Sequence, residues 1–410
     1  MTSDLAWQSV ALRDLCEVVQ YGYTASATDK PVGPKFLRIT DIVPETIDWS
    51  CVPYCEIDPQ KLDKYLLRRG DIVIARTGAT TGYAKYIRNT PEVVFASYLV
   101  RIRLRGDVND RYAGYVVESS DYKRFIQATW GGAAQPNANA QVLTSYEMPL
   151  PPLPTQRKIA SILSAYDDLI ENNLRRIKIL EEMAQTLYRE WFVKFRFPGH
   201  EKARMVDSPL GKIPDGWDVT MLGELVEIQK GKKPKTLYTV FEDGLVPYLL
   251  IDVMKGGDPK YTNPEKTVMA KLDDIVMIMD GASSGIAMIG VAGAVGSTLA
   301  RFRPFDKNAL SPFLLLLLLR HKEEEIRTKN VGSAIPHANK DYITSMEVSV
   351  PTEHINKDFD GCCRPLFSYI LNLSKKNVNL RRTRDLLLPK LISGELDVSD
   401  LDIKTGGHMQ

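Results

Sequence analysis

Side chains able to bind nucleic acid lie in three kinds of glycine-containing loop, and each kind occurs twice in the chain. The first kind is "QYGYTASATDKPVGPK" and "QKGKKPK"; it holds Tyr21, Tyr23, Lys30 and Lys35 in one copy and Lys230, Lys232, Lys233 and Lys235 in the other. Lysine contacts to phosphate supply affinity that does not depend on base sequence. A solvated surface loop has a similar composition, so this observation alone leaves both interpretations open.

The second kind of loop is a tight turn, "RTGATTG" in the first copy and "MDGASSG" in the second. It offers Arg76 and Thr77 in one copy and Asp280 and Ser283 in the other, with Met279 in the place of the arginine. Arginine can donate two hydrogen bonds to guanine, and glycine permits close approach of the backbone. A structural turn explains the glycines equally well. If Arg76 reads a guanine, the second copy must read its bases with other residues.

The third kind of loop is rich in amides, "GGAAQPNAN" and "VGSAIPHANK". It supplies Gln135, Asn137 and Asn139 in the first copy and His337, Asn339 and Lys340 in the second. Asparagine and glutamine side chains can pair with the edge of adenine. An asparagine-rich turn that enters the next element is an equally good explanation.

Sequence patterns of catalysis are missing from the chain. There is no GxxxxGK[ST] phosphate loop, no glycine-rich dinucleotide loop, no G-x-S-x-G and no H-E-x-x-H. Cys51 and Cys55 have no nearby Cys or His pair that could complete a zinc site. The acid pair Asp167–Asp168 lies on a predicted helix surface, where solvated charge is the default. These patterns favour a binding protein over an enzyme.

Composition restricts the class of protein further. The chain has 410 residues, which suffice for two or three domains, and its net charge is only +2, so a nucleic-acid surface must be local. Five cysteines without framework spacing indicate a reducing compartment, and the N-terminus does not read as a signal peptide; we expect a cytoplasmic protein. The apolar run from Phe313 to Leu319 is too short to span a membrane and predicts a buried helix.

The loops belong to a repeat of about 200 residues, which the sequence shows directly. "GDIVIARTGATTG" matches "DDIVMIMDGASSG", and "GGAAQPNANAQVLTSYEMPLP" matches "VGSAIPHANKDYITSMEVSVP". Each copy begins with strand-like β-branched runs and ends in a long helical pattern, so the predicted fold is α+β with an internal pseudo-two-fold repeat. The predicted segments are α+β domains at 1–152 and 201–352 and helical regions at 153–200 and 353–400.

Two predicted helices, from Ile170 to Phe195 and from Ile370 to Ile392, carry matching apolar seams at spacings of three and four residues. The seam residues are Ile170, Ile177, Leu180, Leu187 and Trp191 in the first helix and Ile370, Leu373, Leu380, Leu387 and Leu391 in the second. Such seams need a partner, so we expect an antiparallel coiled coil between the two helices. Asn173, Asn377 and Arg384 interrupt the seams and can set their register. Pro389 should end or kink the second helix one turn early.

The length of the seam suggests a use. The stretch from Ile170 to Trp191 measures about 33 Å at 1.5 Å per residue, close to the roughly 34–36 Å of one DNA turn. Two similar domains held one turn apart would fit a split DNA site. Because the two copies differ in sequence, the two halves of the site should differ as well.

The chain resembles the specificity (S) subunits of Type I restriction–modification systems. The residues that carry the resemblance are "PLPPLPTQRKIASIL" before the central helix, the "RTGAT" turn and the closing "LLLPKLISGELDV"; the second copy departs from the pattern at "VPTEHINKDFDGCC". The resemblance implies two target-recognition domains that read a bipartite site, and helices that bind two modification (methyltransferase) subunits, which a restriction subunit can join. It also implies a non-catalytic chain without cofactors, since S-adenosylmethionine, ATP and Mg act in the partner subunits.

We therefore expect a chain that binds double-stranded DNA, does not associate with membranes, and reads each half-site with its own loops. Two alternatives stay open: a coiled-coil scaffold that does not touch DNA, and a recognition module with an unrecognised methyltransferase or nuclease activity.

Overall fold

The computed structural model describes residues 7–129, 137–254, 257–330 and 336–405. The chain forms two compact units. The first unit combines Met1–Ile170 with Asn379–Gln410, and the second is Glu171–Val378. Each unit thus contains one α+β domain together with parts of two long helices. The domain boundaries predicted from the sequence lie at the ends of the helical regions. The boundaries between the compact units lie inside the two long helices, after Ile170 and after Val378.

The first domain is built on a four-stranded antiparallel sheet in the order β2-β7-β4-β5. The elements are β1 (Ser9–Ala11), β2 (Cys16–Tyr21), β3 (Lys35–Leu37), α1 (Ile39–Ile42), α2 (Pro59–Tyr65), β4 (Ile72–Ala75), β5 (Ala84–Tyr86), β6 (Val93–Phe95), β7 (Leu99–Leu104), α3 (Asp110–Glu118), α4 (Ser120–Ala128), α5 (Ala140–Thr144) and β8 (Glu147–Pro149). A short 3-10 helix, Leu12–Leu15, precedes β2.

The first sheet is buried on both faces. Ile72 and Ile74 pack with α3 and the start of the first long helix, whereas Val73 on the opposite face packs toward the parallel pair β3–β6. Because both faces are covered, β4 reads as a continuous apolar run, and all four of its residues are buried.

The second domain repeats this sheet in the order β12-β19-β16-β17 and adds a second sheet in the order β14-β13-β18-β15. Its elements are β9 (Met205–Ser208), β10 (Gly211–Pro214), β11 (Asp218–Met221), α7 (Leu222–Leu225), β12 (Val226–Lys230), β13 (Val246–Leu249), α8 (Ile251–Met254), β14 (Lys260–Thr262), β15 (Met269–Ala270), β16 (Ile275–Ile278), β17 (Ala287–Ile289), β18 (Gly293–Val295), β19 (Leu299–Pro304), α9 (Pro312–His321), α10 (Glu323–Thr328), α11 (Lys340–Ser345) and β20 (Glu347–Val350).

The predicted internal repeat is confirmed down to individual ion pairs. Arg103 binds Asp71 in the first sheet with an Nε–Oδ1 distance of 2.7 Å, and Arg303 binds Asp274 in the second with the same distance. The apolar run from Phe313 to Leu319 lies in α9 and is mostly buried, as predicted. Among the described residues, no helix is long and apolar enough to cross a membrane.

Two long helices connect to these domains. The first, α6 (Leu153–Tyr188), begins well before the predicted Ile170 and continues into a π-helical segment, Arg189–Val193. The second is α12 (Glu353–Ser393). The sequence predicts that Pro389 ends or kinks α12 one turn early; the prediction of an end there is wrong, because the helix continues to Ser393. Leu391 and Ile392 are buried in the core of the first unit, and their burial offsets the backbone hydrogen bond that proline cannot make.

Within each unit, the parts of α6 and α12 pair antiparallel. In the second unit Asn173 donates a hydrogen bond to Asn377 over 2.8 Å, so two of the polar interruptions in the seams meet each other. Arg176, further along α6, meets Tyr369, which lies earlier on α12. In the first unit Arg384 binds Asp167 over 2.7 Å.

The apolar seam residues lie where the two helices meet or where they enter a core. In the second unit Ile177, Leu180, Leu187, Trp191 and Ile370 belong to or pack on one core, and Leu373 is buried. In the first unit Ile170 is buried, Leu380 is half-buried, and Leu387 and Leu391 pack with the core of the domain.

Asp167 corrects the expectation that the Asp167–Asp168 pair is solvated. Its side chain is only 7% exposed and accepts hydrogen bonds from Arg88, Tyr115 and Arg384. Burial alone would raise the pKa of Asp167, but these donors hold it below its ordinary value. Asp168 is 63% exposed and pairs with Arg111 over 3.1 Å.

Candidate nucleic-acid interface

Three loops that are far apart in sequence meet at one edge of the first domain. They are the end of β2, the turn after β4 and the segment before α5. The backbone N–H of Ala138 donates to the carbonyl of Arg76 over 2.8 Å, and Thr77 forms a β-bridge with Asn137. The N–H of Ala140 donates to the hydroxyl of Tyr21 over 2.9 Å. We call this arrangement the first junction.

Glycines make the first junction possible. Gly78 and Gly82 adopt φ values of +76° and +85°, which close the turn after β4. A Cβ at Gly22, directly after β2, would collide with the carbonyl oxygen of Ala96. Gly231 occupies the same place in the second domain, where a Cβ would collide with the carbonyl oxygen of Val295.

The first junction presents an ordered cation. The guanidinium of Arg76 lies 4.8 Å from the ring centroid of Tyr21, and its Nη2 donates to Oδ1 of Asn137 over 3.3 Å. These two contacts restrict the arginine rotamers before any ligand binds, which lowers the entropy cost of binding. Tyr21 is 41% exposed, so the surface of the cluster stays open to solvent.

Tyr98 belongs to the same surface and was missed from the sequence. Its carbonyl oxygen accepts the backbone N–H of Arg76 over 3.0 Å, and the residue is 60% exposed. Tyrosine between buried strands β6 and β7 would usually be read as core. Ser97, directly before it in "FASYLV", was the one available signal that this position lies in a turn that faces solvent.

The second domain builds the corresponding junction with different side chains. Ala338 N–H donates to the carbonyl of Met279 over 2.7 Å, and Asp280 forms a β-bridge with His337. His337 Nδ1 lies 2.8 Å from Oδ1 of Asp280, and Lys230 Nζ lies 3.2 Å from Oδ2 of the same carboxylate. We call this arrangement the second junction. Met279, in the place of Arg76, is buried.

The other predicted lysines and Tyr23 differ in whether their side chains are exposed or contact other residues of their own domain. Lys30, Lys232, Lys233 and Lys235 are exposed. Lys35 instead donates to the carbonyl of Val52 over 2.8 Å and covers the ring of Tyr54 at 4.4 Å. Tyr23 packs on Tyr65 with centroids 5.2 Å apart. Lys340 is exposed, with Nζ 3.3 Å from the carbonyl of Ile228.

Two of the predicted base readers have a structural role. Asn139 caps α5 by accepting the N–H of Val142 over 2.9 Å, and Asn339 caps α11 by accepting the N–H of Tyr342 over 3.0 Å. This is the turn-forming alternative to base reading. Ser283 lies half-buried in the turn after β16. Gln135 lies outside the described residues.

Metal-binding geometry does not occur in the part of the chain that the structure describes. There, no group of three or more His, Cys, Asp or Glu side chains is placed to hold an ion. The cysteines are free thiols, and burial raises the pKa of the Cys16 thiol to about 12 and that of Cys55 to about 11. Neither thiol is therefore a reactive thiolate near neutral pH.

Two copies of one α+β domain, each with a polar junction and a share of paired helices, define a duplicated recognition protein. A family model described as "Type I restriction modification DNA specificity domain" matches residues 5–182 and 214–358. The chain belongs to this family, and the resemblance found in its sequence is confirmed.

Relatives with known names agree with this assignment. The chain is 26% identical over 340 residues to the Type I restriction enzyme MjaIX specificity subunit of Methanocaldococcus jannaschii, covering 80% of this chain and 78% of that protein. A putative MjaX specificity subunit of the same organism is 24% identical and covers 96% and 94%. The crystal structure of a Type I S subunit from M. genitalium has the same fold, with a TM-score of 0.57, 16% identity and coverage of 96% and 97%.

Proposed function

We propose that this chain is the DNA-binding specificity subunit of a Type I restriction–modification enzyme, and that each domain reads one half of a bipartite, asymmetric site. The observation that carries the proposal is that three corresponding loops meet in each of the two domains. They meet beside the equivalent four-stranded sheet in each domain, and the side chains that they present differ. The first junction offers Tyr21, Arg76 and Asn137. The second offers Lys230 and His337 around Asp280. Different hydrogen-bonding groups select different bases.

Contacts to the DNA backbone are assigned to the exposed lysines. Lys232, Lys233 and Lys235 follow directly after β12, next to the second junction, and are exposed. Phosphate contacts from such residues fix the position of the duplex without reading its sequence. Arg76 is assigned to a guanine, which offers two acceptors in the major groove to an arginine side chain.

The paired helices are assigned two tasks, to set the distance between half-sites and to bind two modification (methyltransferase) subunits. Large apolar side chains on the helices support the second task. Leu169 is 52% exposed, Ile179 56% and Leu386 61%, so both helices offer apolar side chains that a partner subunit could cover. In this proposal the chain has no catalytic residue. Adenine methylation with S-adenosylmethionine, and cleavage with ATP and Mg by restriction subunits that join indirectly, occur in its partners, in the cytoplasm.

Selection from randomised duplexes tests this function. The purified chain would be used alone and together with its modification subunit. We expect two unlike sequence blocks separated by a fixed gap. A single block would mean that only one domain reads DNA, and no enrichment in either condition would favour a protein scaffold.

Binding of S-adenosylmethionine is the second measurement. Calorimetry on the purified chain should show none, because the proposal places that cofactor in the modification subunit. Binding by the chain itself would favour a recognition module with its own methyltransferase activity.

A further inference from the structure

The second junction holds a histidine ring in one orientation. Nδ1 of His337 faces Oδ1 of Asp280 at 2.8 Å, and the side chain is 45% exposed. Asp280 is only 17% exposed, so its carboxylate lies below the surface and the imidazole lies above it. The ring therefore has one nitrogen bound inside the domain and the other, Nε2, available at the surface.

The carboxylate also decides which nitrogen carries the proton. An ionised carboxylate can only accept hydrogen bonds, so a neutral His337 must place its proton on Nδ1 to bind it. Nε2 is then left with a lone pair and acts as an acceptor. A histidine without such a partner can present either a donor or an acceptor at its surface nitrogen.

Lys230 keeps the carboxylate in its ionised form. Its Nζ lies 3.2 Å from Asp280, on β12, and the residue is exposed. Burial alone would raise the pKa of Asp280, but the hydrogen bonds from His337 and Lys230 hold it below its ordinary value. Lys340, three residues after His337, donates to the carbonyl of Ile228 and not to Asp280.

We infer that Asp280 is a positioning residue for base recognition, which fixes His337 with Nε2 as an acceptor for an exocyclic amino group, adenine N6 or cytosine N4, in the second half-site. The inference rests on the proposed function and names the chemistry that one domain selects. These two amino groups are the hydrogen-bond donors that bases present in the major groove.

The first junction has the opposite polarity, which makes the inference specific to the second domain. There the carbonyl oxygen of the Asn137 side chain accepts a hydrogen bond from Arg76 over 3.3 Å. The amide N–H groups of Asn137 remain to donate, and Arg76 is itself a donor. The first junction therefore suits acceptors such as N7 and O6 of guanine, whereas the second suits an amino group.

Nitrogen NMR on the wild-type chain is the first test. The chain has five histidines, so 15N-histidine labelling gives few signals. The signal of His337 is identified as the one that is absent from the spectrum of the His337→Gln variant. We expect the neutral imidazole of His337 in the free protein to be the Nδ1–H tautomer. Observation of the Nε2–H tautomer, or of a ring that carries a proton on both nitrogens, would overturn the inference, and neither observation requires a variant that might not fold.

The second test combines a protein change with a base change. After selection has identified the second half-site, the amino group of the chosen base is removed, with purine in place of adenine or pyrimidin-2-one in place of cytosine. The wild-type chain should bind the altered duplex on the order of tenfold more weakly. Asp280→Ala should bind both duplexes equally, because the fixed acceptor is gone.

Two variants control for general damage. Asp273→Ala removes a partly exposed acid of the same domain that pairs with Lys307 outside the junction, and it should leave the response to the lost amino group intact. Asp280→Asn keeps the shape of the side chain, but its amide can donate as well as accept, so the tautomer is no longer fixed and most of the discrimination should be lost, as in Asp280→Ala.

The outcomes separate the inference from the function on which it rests. If the wild-type chain selects two blocks but Asp280→Ala still discriminates tenfold, the inference is wrong and the function stands. If the wild-type chain selects no second block, the proposed function fails for this domain, and the inference fails with it.

Discussion

Arg76 and Lys230 each bring a cation to a junction, but the structure holds them in different ways. Arg76 lies over Tyr21 and donates to Asn137, whereas Lys230 binds the carboxylate of Asp280. The junction of the first domain is thus a net cation, and in the second domain the charge of Lys230 is balanced. The second domain has positive charge beside its junction instead, because three exposed lysines follow β12.

Replacing Lys232, Lys233 and Lys235 together with alanine should weaken DNA binding and reduce its salt dependence. Each lost phosphate contact removes about 0.9 from the slope of log K against log salt, so three contacts remove about 2.7. Fluorescence anisotropy at several salt concentrations measures the slope. Lys375→Ala with Lys376→Ala, on the exposed face of α12, is the control. An unchanged slope in the triple variant would exclude these lysines from the interface.

Asn139 and Asn339 should affect stability more than base preference. Replacement of either by alanine removes a helix cap and should cost about 1 kcal/mol, whereas aspartate should retain the cap. Urea unfolding measures the cost, and duplex selection measures the preference. Asn137→Ala is the matched control, since Asn137 is exposed and does not cap α5. It should change the base preference in the first half-site and leave the free energy of unfolding unchanged. A new base preference in Asn139→Asp would show that Asn139 reads DNA after all.

The two domains attach to the long helices by different chemistry. In the first unit Asp167 of α6 is surrounded by Arg88, Tyr115 and Arg384. In the second unit the corresponding residue of α12 is Phe367, which stacks on Phe313 of α9 with centroids 5.0 Å apart. An ionic contact in one unit and an aromatic contact in the other should respond differently to pH.

Acid should therefore loosen the contact between α6 and the first domain before the corresponding contact between α12 and the second domain. The folded-state pKa of Asp167 is lowered, so its contribution to stability is complete above the unfolded value of about 3.9 and is lost as pH falls through the folded value. Hydrogen exchange of α3 and α6 peptides, measured between about pH 5 and pH 3, should report this loss.

Substitutions of the two neighbouring acids distinguish burial from charge. Asp167→Asn should remove this contribution to the pH dependence and destabilise the first unit by about 1–3 kcal/mol at neutral pH, because a buried acceptor of charged hydrogen bonds is lost. Arg88 keeps Asp168 as a partner and Arg384 keeps Glu45, which limits the cost. Asp168→Asn, at a 63% exposed position, should cost less than about 1 kcal/mol. Equal effects of the two substitutions would contradict the buried network.

At the scale of the whole molecule, the segment that includes the last turns of α12 and the residues after it completes the first unit. Leu391, Ile392 and Val398 belong to the core of the first unit. Lys158 Nζ donates to the carbonyl of Ser399 over 2.6 Å, so the segment after α12 is held against the start of α6. The second unit, by contrast, is one continuous stretch of chain.

Shortening both helices by one heptad should shorten the gap between half-sites. Deletion of 174–180 from α6 and 370–376 from α12 removes facing segments and preserves the phase of the seam. Seven residues correspond to about 10 Å of helix, or about 3 base pairs at 3.4 Å each. Duplex selection reads the gap directly, and deletion from α6 alone is the control, which should disrupt pairing. An unchanged gap in the double deletion would mean that the helices do not set the spacing.

The sequence alone determined the duplication, the α+β character of each copy, the two helices with their seams and the family. These features depend on local periodicity or on similarity between two stretches of the same chain, and both can be read without knowing distances. The antiparallel pairing followed as well, since two matching apolar seams need each other.

Only the tertiary structure decided which residues of those elements act together. Asp167 looked like a solvated helix acid because its partners, Arg88 and Arg384, lie 79 and 217 residues away. Asp280 and His337 are 57 residues apart, and the tolerance of Pro389 depends on the first unit's core. Burial and hydrogen-bond partners arise from contacts between remote segments, which the order of residues along a chain does not contain.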